Sequence, residues 1–214
     1  MHKPYISLTP EGWPSILLAG SATLVFALLG WAIPAVLGLM VLALLLNFFR
    51  DPERFVPHEP DLAVAPADGR VIIVAPATDP MTGEERTRVC IFMNVFNVHV
   101  NRACVAGTVS AMRYWEGKFI NASFDKASSD NERLAVQIAE KDGSTWTMVQ
   151  IAGLIARRII PWAQKGDTVE RGQRYGMIKF GSRVDVYLPQ GYQPCVTVGT
   201  RTAAGQTVIA KRCE

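Results

Sequence analysis

Three histidines are present, His2, His58 and His99, and that scarcity narrows the search for a proton-transfer group. His2 is terminal. His58 lies among prolines, where a solvated side chain is the simpler reading. His99 stands within Phe92-Met93-Asn94-Val95-Phe96-Asn97-Val98-His99-Val100-Asn101-Arg102. Strand alternation there puts Phe96, Val98 and Val100 on one face and Asn97, His99 and Asn101 on the other. The polar face reads equally as solvated or as the lining of a site, since imidazole is the side chain best matched to proton transfer near neutral pH. Asp68, in Ala65-Pro66-Ala67-Asp68-Gly69-Arg70, reads by itself as a turn residue. Gly181-Ser182, in Lys179-Phe180-Gly181-Ser182-Arg183-Val184-Asp185, reads by itself as a tight turn between two strands. Neither a Gly-x-Ser-x-Gly elbow nor a Gly-x-x-x-x-Gly-Lys loop occurs, which leaves serine-hydrolase and nucleotide-binding readings without support. Asp125-Lys126-Ala127 matches the tripeptide around a lipoylated lysine, a weak signal outside its structural context. Cys90, Cys104, Cys195 and Cys213 form no Cys-x-x-Cys pair, and no Cys/His cluster has zinc-ligand spacing. Free thiols in a reducing compartment and no metal site are expected.

The elements that must carry these residues fall into two regimes. Residues 12–49 contain no charged side chain, within a chain of 214 residues whose formal charge is only +3. That modest charge, without a concentrated basic face, gives no case for nucleic acid. The uncharged run is too long for a secretory signal and lacks a small-residue cleavage site. Gly30 and Pro34 interrupt it, so a helix–break–helix membrane hairpin near residues 16–29 and 35–49 is favoured over one kinked span. Lys3, Arg50 and Arg54 flank it and fit a cytoplasmic side for both ends. Residues 50–66 hold four prolines and read as an extended linker. Residues 67–214 read as one mostly β domain. Strand-like runs occur at 71–74, 89–92, 95–100, 145–151, 175–180 and 184–188, and one short helix is expected over 131–139. Two segments, Gly166 to Gln173 and Gly199 to Gln206, each put a glycine six residues before a Gly-Gln pair. The paired turns resemble those of the biotinyl/lipoyl type of barrel-sandwich hybrid.

Taken together, Phe49-Arg50-Asp51-Pro52-Glu53-Arg54, Ala65-Pro66-Ala67-Asp68-Gly69, residues 92–102, Asp125-Lys126-Ala127-Ser128 with Asn131-Glu132-Arg133, Ile151-Ala152-Gly153 with Ala156-Arg157-Arg158-Ile159, and Phe180-Gly181-Ser182-Arg183-Val184-Asp185 resemble, in order, the phosphatidylserine decarboxylases in their short form. The resemblance implies a proenzyme that cuts itself between Gly181 and Ser182. A β chain of residues 1–181 and an α chain of residues 182–214 would result, the latter opening with a pyruvoyl group made from Ser182. That ketone would form a Schiff base with the amine of phosphatidylserine and take the place of an external cofactor. The resemblance makes Asp68 the candidate for orienting or assisting the base and His99 the candidate for proton transfer. It implies a bilayer substrate and an inner-membrane location with the catalytic part on the cytoplasmic side, where Arg50, Arg54, Arg157 and Arg158 would meet lipid phosphates. Homo-oligomerisation is left open. The competing readings are a membrane-anchored, lipoyl-like adaptor without catalysis, and a pyruvoyl decarboxylase of a soluble amino acid.

Overall fold

The charge-free stretch folds into two helices joined by a glycine-capped break. A computed structural model describes residues 7–124, 127–153, 158–179 and 181–213. By internal contacts the chain divides into Met1–Glu53 and Arg54–Glu214. In the first unit a 3-10 turn, Pro10–Gly12, leads into α1, Trp13–Leu28; α2 spans Ala32–Phe48. Gly30 takes φ +71°. Its N–H bonds Ala27 O (3.1 Å) and the Trp31 N–H bonds Phe26 O (2.9 Å), the two bonds of a Schellman cap. Trp31 stacks on Phe26 at 5.9 Å, which supplies the apolar contact of that motif. Pro34 sits in the first turn of α2, where its missing N–H costs no helical bond. The helices run back against each other. A Cβ on Gly38 would lie 2.3 Å from Thr23 Oγ1, and the Thr9 N–H bonds Phe49 O at 2.8 Å. Pro10–Leu28, at 19 residues, is long and apolar enough to cross a membrane, and α2 is a shorter apolar helix. Leu17, Leu18, Leu28, Ile33, Val36 and Met40 on these helices are exposed, an apolar surface of the kind that meets lipid or a partner.

The second unit is built of antiparallel strands. In chain order these are β1 Leu62–Val64, β2 Gly69–Thr78, β3 Glu85–Met93, β4 Val100–Arg102 and β5 Gly107–Trp115, then the single-turn helix α3 Ala127–Asp130, then β6 Arg133–Ala139, β7 Thr145–Ala152, β8 Ile159–Pro161, β9 Thr168–Val169, β10 Arg174–Ile178, β11 Ser182–Tyr187, β12 Tyr192–Pro194, β13 Arg201–Thr202 and β14 Val208–Arg212. One sheet has the order β13-β2-β3-β11-β7-β6-β5-β9 and curls into a half-barrel. Two small sheets, β4-β10-β8 and β1-β14-β12, complete the unit. The inner faces enclose Val71, Ile91, Met93, Val136, Met148 and Val184, all inaccessible to solvent.

Two expectations are corrected. Residues 131–139 form no helix; residues 133–139 are β6, paired along its length with β5 and β7. The alternation of Leu134, Val136 and Ile138, all buried, serves a strand with a neighbour on each side. Residues 95–100 are not a strand until Val100. The Phe96 N–H bonds Asn94 Oδ1 and the Asn94 N–H bonds Asn97 Oδ1, each at 2.9 Å, so the asparagine carboxamides hold a turn in place of a ladder. The linker region also contributes a strand, β1, beside β14. The glycine repeat is expressed as two like turns. Gly166, Gly172, Gly199 and Gly205 all take positive φ. Gly166 N–H bonds Val109 O as Gly199 N–H bonds Val71 O, both at 2.8 Å, and Gly172 N–H bonds Ala103 O as Gly205 N–H bonds Ala65 O, again at 2.8 Å.

Candidate active site

Ser182 opens the central strand β11 and pairs with Met93 on β3 and Ala152 on β7. Its side chain is fully buried. The hydroxyl faces Met93 Sδ at 3.9 Å, a weak acceptor that leaves the oxygen free to turn. Gly181 enters the strand with φ +67°, in open space, a conformation that disfavours any side chain. Its carbonyl oxygen lies against Gly153, just past the end of β7: a Cβ at 153 would stand 2.0 Å from that oxygen. Gly153 is therefore the floor under the carbonyl that precedes Ser182.

His99 is brought to Gly181 from 82 residues away. It is fully buried, which removes the solvated-face reading. Nδ1 lies 2.9 Å from Asn97 O and Nε2 lies 3.1 Å from the Gly181 nitrogen. A carbonyl can only accept, so Nδ1 carries the hydrogen; Nε2 then accepts the Gly181 N–H with its single in-plane lone pair, beside the Gly181-Ser182 junction. The tautomer follows from the hydrogen-bond network. The Asn94–Asn97 turn thus fixes the imidazole.

Below Ser182 runs a buried polar chain. Gln150 Nε2 donates to Asn101 Oδ1 at 2.8 Å, and Asn101 Nδ2 donates to Met93 Sδ at 3.7 Å. Gln150 Oε1 is buried without a hydrogen-bond partner among the described residues. Such a group costs about 1–3 kcal/mol, and it lies on the face that carries Ser182 and Val184. Asn131 clamps the neighbouring loop, donating to Ile120 O (2.8 Å) and Ala152 O (2.7 Å).

The opposite face of β11 is anchored by a buried ion pair. Arg183 and Asp185 are both inaccessible, with Nε–Oδ1 at 2.5 Å and an Nη–Oδ2 contact at 2.8 Å. Arg183 also donates to Phe124 O (3.1 Å) and Ser128 Oγ (3.3 Å), tying both residues to the strand that begins at Ser182. Burial alone would lower the pKa of this guanidinium, but the Asp185 charge and hydrogen bond outweigh it and hold the cation firmly protonated. Burial and the same carboxylate push the Cys90 thiol up, and burial with Asp185 pushes the Tyr187 hydroxyl up to about 12.

His99 therefore reaches Gly181, the residue before Ser182, and Asp68 stands apart from both. One Asp68 oxygen takes Arg54 at 2.8 Å and the other takes the Ala204 N–H at 2.7 Å; neither bonds His99. Arg54 is committed to Asp68 and to Gln206 (3.1 Å) in the second glycine turn. Arg158 is exposed. Arg157, Lys3 and the Asp125-Lys126 pair lie outside the described residues. Sequence reading passed over Gly153 and Gln150 as site residues. The signals were there: a glycine closing a strand, and a glutamine set between the apolar residues Met148, Val149, Ile151 and Ala152. Among the described residues no group of three His, Cys, Asp or Glu side chains could hold a metal.

A statistical model of the family described as "Phosphatidylserine decarboxylase" matches residues 41–210. Among curated proteins, the chain is 59% identical over 212 residues to a protein of Nitratidesulfovibrio vulgaris, covering 99% of this chain and 98% of that one. It is 58% identical over 214 residues to one of Oleidesulfovibrio alaskensis (100% and 98% covered). It is 49% identical over 218 aligned positions to one of Cupriavidus pinatubonensis (99% and 98% covered). All three are named "Phosphatidylserine decarboxylase proenzyme". With buried serine, glycine carbonyl and histidine converging inside the matched span, the chain belongs to the phosphatidylserine decarboxylase family.

Proposed function

We propose that the chain is a self-processing decarboxylase that converts phosphatidylserine to phosphatidylethanolamine and carbon dioxide. The observation that carries the reading is the His99 Nε2 contact to Gly181, 3.1 Å, beside a buried Ser182 in a member of this family. Ser182 Oγ turns from Met93 and adds to the Gly181 carbonyl carbon, giving its proton to His99 Nε2 as that nitrogen lets go of the Gly181 N–H. The Gly181–Ser182 C–N bond breaks, the nitrogen takes a proton, and Gly181 is left as an ester on Oγ. Loss of the Cα proton of residue 182 expels the Gly181 carboxylate and leaves dehydroalanine. Water replaces its nitrogen, which departs as ammonia, and the terminus becomes a pyruvoyl ketone.

Position 182 suits that group. It is enclosed, it begins a strand held on both sides, and Gly181 and Gly153 leave room for the chain to part. When joined to the substrate amine, the ketone supplies the electron sink for the pair left by departing carbon dioxide. His99, already oriented by Asn97, holds the proton that returns to the substrate carbon. Asp68 acts at one remove, through Arg54 and Ala204, on the start of β2.

The apolar hairpin suits a substrate that stays in the bilayer, since each buried CH₂ is worth about 0.8 kcal/mol. In this reading residues 1–49 sit in the inner membrane, residues 50–66 link, and residues 67–214 catalyse on the cytoplasmic side. The two glycine turns are the paired turns of a biotinyl/lipoyl-type hybrid, supported by their matching hydrogen bonds. Intact mass tests the proposal. Active wild-type protein is expected as two chains, 1–181 and 182–214, the second lacking a free amino terminus, and Ser182→Ala as one chain. Active wild-type protein in one uncut piece, indifferent to that substitution, would refute the self-processing reading; an uncut, inactive one would fit an adaptor.

A further inference from the structure

We infer that Arg70 and Arg201 form the subsite for the phosphodiester of the lipid head group. The inference rests on the decarboxylase reading above and adds a recognition site to it. Arg201 is the direct cross-strand partner of Arg70. The Val71 N–H bonds Thr200 O (2.9 Å) and the Gly199 N–H bonds Val71 O (2.8 Å). The first of these bonds flanks the arginine pair, which makes it a narrow, non-hydrogen-bonded pair, the kind whose side chains stand closest. Like charges directly opposed are destabilising. Neither guanidinium has an ion-pair or hydrogen-bond partner among the described residues.

The fold does not demand arginine there. In the first glycine turn, which begins at Gly166, the Val109 N–H bonds Asp167 O (2.9 Å) and the Gly166 N–H bonds Val109 O (2.8 Å), the same pattern. The pair in the equivalent register is Thr108 with Thr168, a favourable cross-strand pair. The two turns differ in what they face. Arg70 and Arg201 line a cavity of about 340 Å³ with Gly69, Phe92, Asn94 and Asn97. Asn97 is the residue whose carbonyl orients His99. Both asparagine side-chain oxygens are used inside the turn, so the groups left to a ligand are their N–H donors. Two cations and two amides, with no acid among the lining residues, describe an anion site.

The anion is identified by the reaction. Holding the carboxylate that leaves as carbon dioxide would stabilise the starting state, whereas the phosphodiester keeps its charge throughout. Position matches too. Phe92 is the register partner of both Arg70 and Arg183, so Arg70 starts two strands, roughly 10 Å, from the residue that follows Ser182 and on that residue's face of the sheet; its link to the reacting end of β11 is the Asn94–Asn97 turn, which lines the cavity and holds His99.

The test uses the full-length protein in neutral detergent with Arg70→Thr, Arg201→Thr and the double variant, which copies the Thr108/Thr168 pair. Self-cleavage on gels is expected to be unchanged. KM for monomeric, short-chain phosphatidylserine should rise roughly tenfold or more per arginine, with kcat within about threefold. Phosphorus NMR line broadening of glycerophosphoethanolamine by wild-type protein should disappear in the double variant, a readout that needs no turnover. Unchanged KM and unchanged line broadening would overturn the subsite. So would a defect seen only on anionic vesicles, which would mean surface adhesion. A wild-type protein that neither cuts itself nor decarboxylates would instead sink the decarboxylase reading, and the line broadening would still decide the anion site.

Discussion

Asp185→Ala isolates the ion pair that holds the strand beginning at Ser182. Arg183 and Asp185 are both fully buried and touch at two points, 2.5 and 2.8 Å. Removing the carboxylate leaves Arg183 with neutral partners only: Phe124 O, Ser128 Oγ and Cys90 Sγ, at 3.1, 3.3 and 3.1 Å. An uncompensated buried charge of this kind costs about 3–5 kcal/mol. That is a large share of the roughly 5–15 kcal/mol that hold a domain folded. In a chain of this size it corresponds to a fall in Tm of roughly 6–20 °C. The double variant Arg183→Met/Asp185→Leu removes both charges and should recover part of the loss, because the pair's attraction largely offsets its desolvation while Arg88, 4.0 Å from Asp185, still loses that carboxylate. The assay is thermal unfolding in detergent with every variant in the Ser182→Ala background, so that uncut chains are compared. In the Ser182 background, Asp185→Ala should also slow self-cleavage, since Arg183 adjoins the reacting bond. A Tm drop below about 2 °C for Asp185→Ala, or a double variant no better than the single one, would refute the argument that this pair is desolvated and coupled.

Other consequences are as direct. Gly153→Ala puts a Cβ 2.0 Å from the Gly181 carbonyl oxygen, so that carbonyl must move; a gel time course should show cleavage slowed roughly 100-fold, the effect of misplacing a reacting group by about 1 Å. His99→Ala removes the proton acceptor and should slow cleavage by about 10²–10⁴, read in the same way. Cys90 and Cys104 are buried and their thiols are pushed up by burial, whereas Cys195 and Cys213 are exposed. Iodoacetamide at about pH 8 should label the last two in native protein and all four after denaturation, counted by mass. Burial raises the Glu140 carboxyl above its usual range against the lowering effect of its Trp146 bond (2.7 Å). The folded state then holds a proton the unfolded state has released, so this stabilisation is full at low pH and is lost as pH rises through the raised value. Glu140→Gln should flatten that decline in a Tm-against-pH series; an unchanged slope would exclude Glu140 as its source.

The sequence alone settled what local chemistry controls. A run without charge, broken by Gly30 and Pro34, had to become apolar helices with a turn between, and the Schellman cap at Gly30 is the local expression of that break. Repeated glycines marked the two like turns because positive φ excludes other residues there. The ordered motifs carried the family. What periodicity could not choose was partners. Residues 131–139 alternate as a strand yet were expected to be a helix, and flanking strands on both sides decided the matter. The asparagine pair bent residues 94–97 by hydrogen bonds that hydrophobic alternation does not register. His99 reaches Gly181, Gly153 seats its carbonyl, and Arg70 faces Arg201 only because the sheet register brings distant strands side by side. Sequence spacing fixes which face a residue takes along its own strand; which strand lies next to it is set by the long-range burial of the whole core, and the site is made of such neighbours.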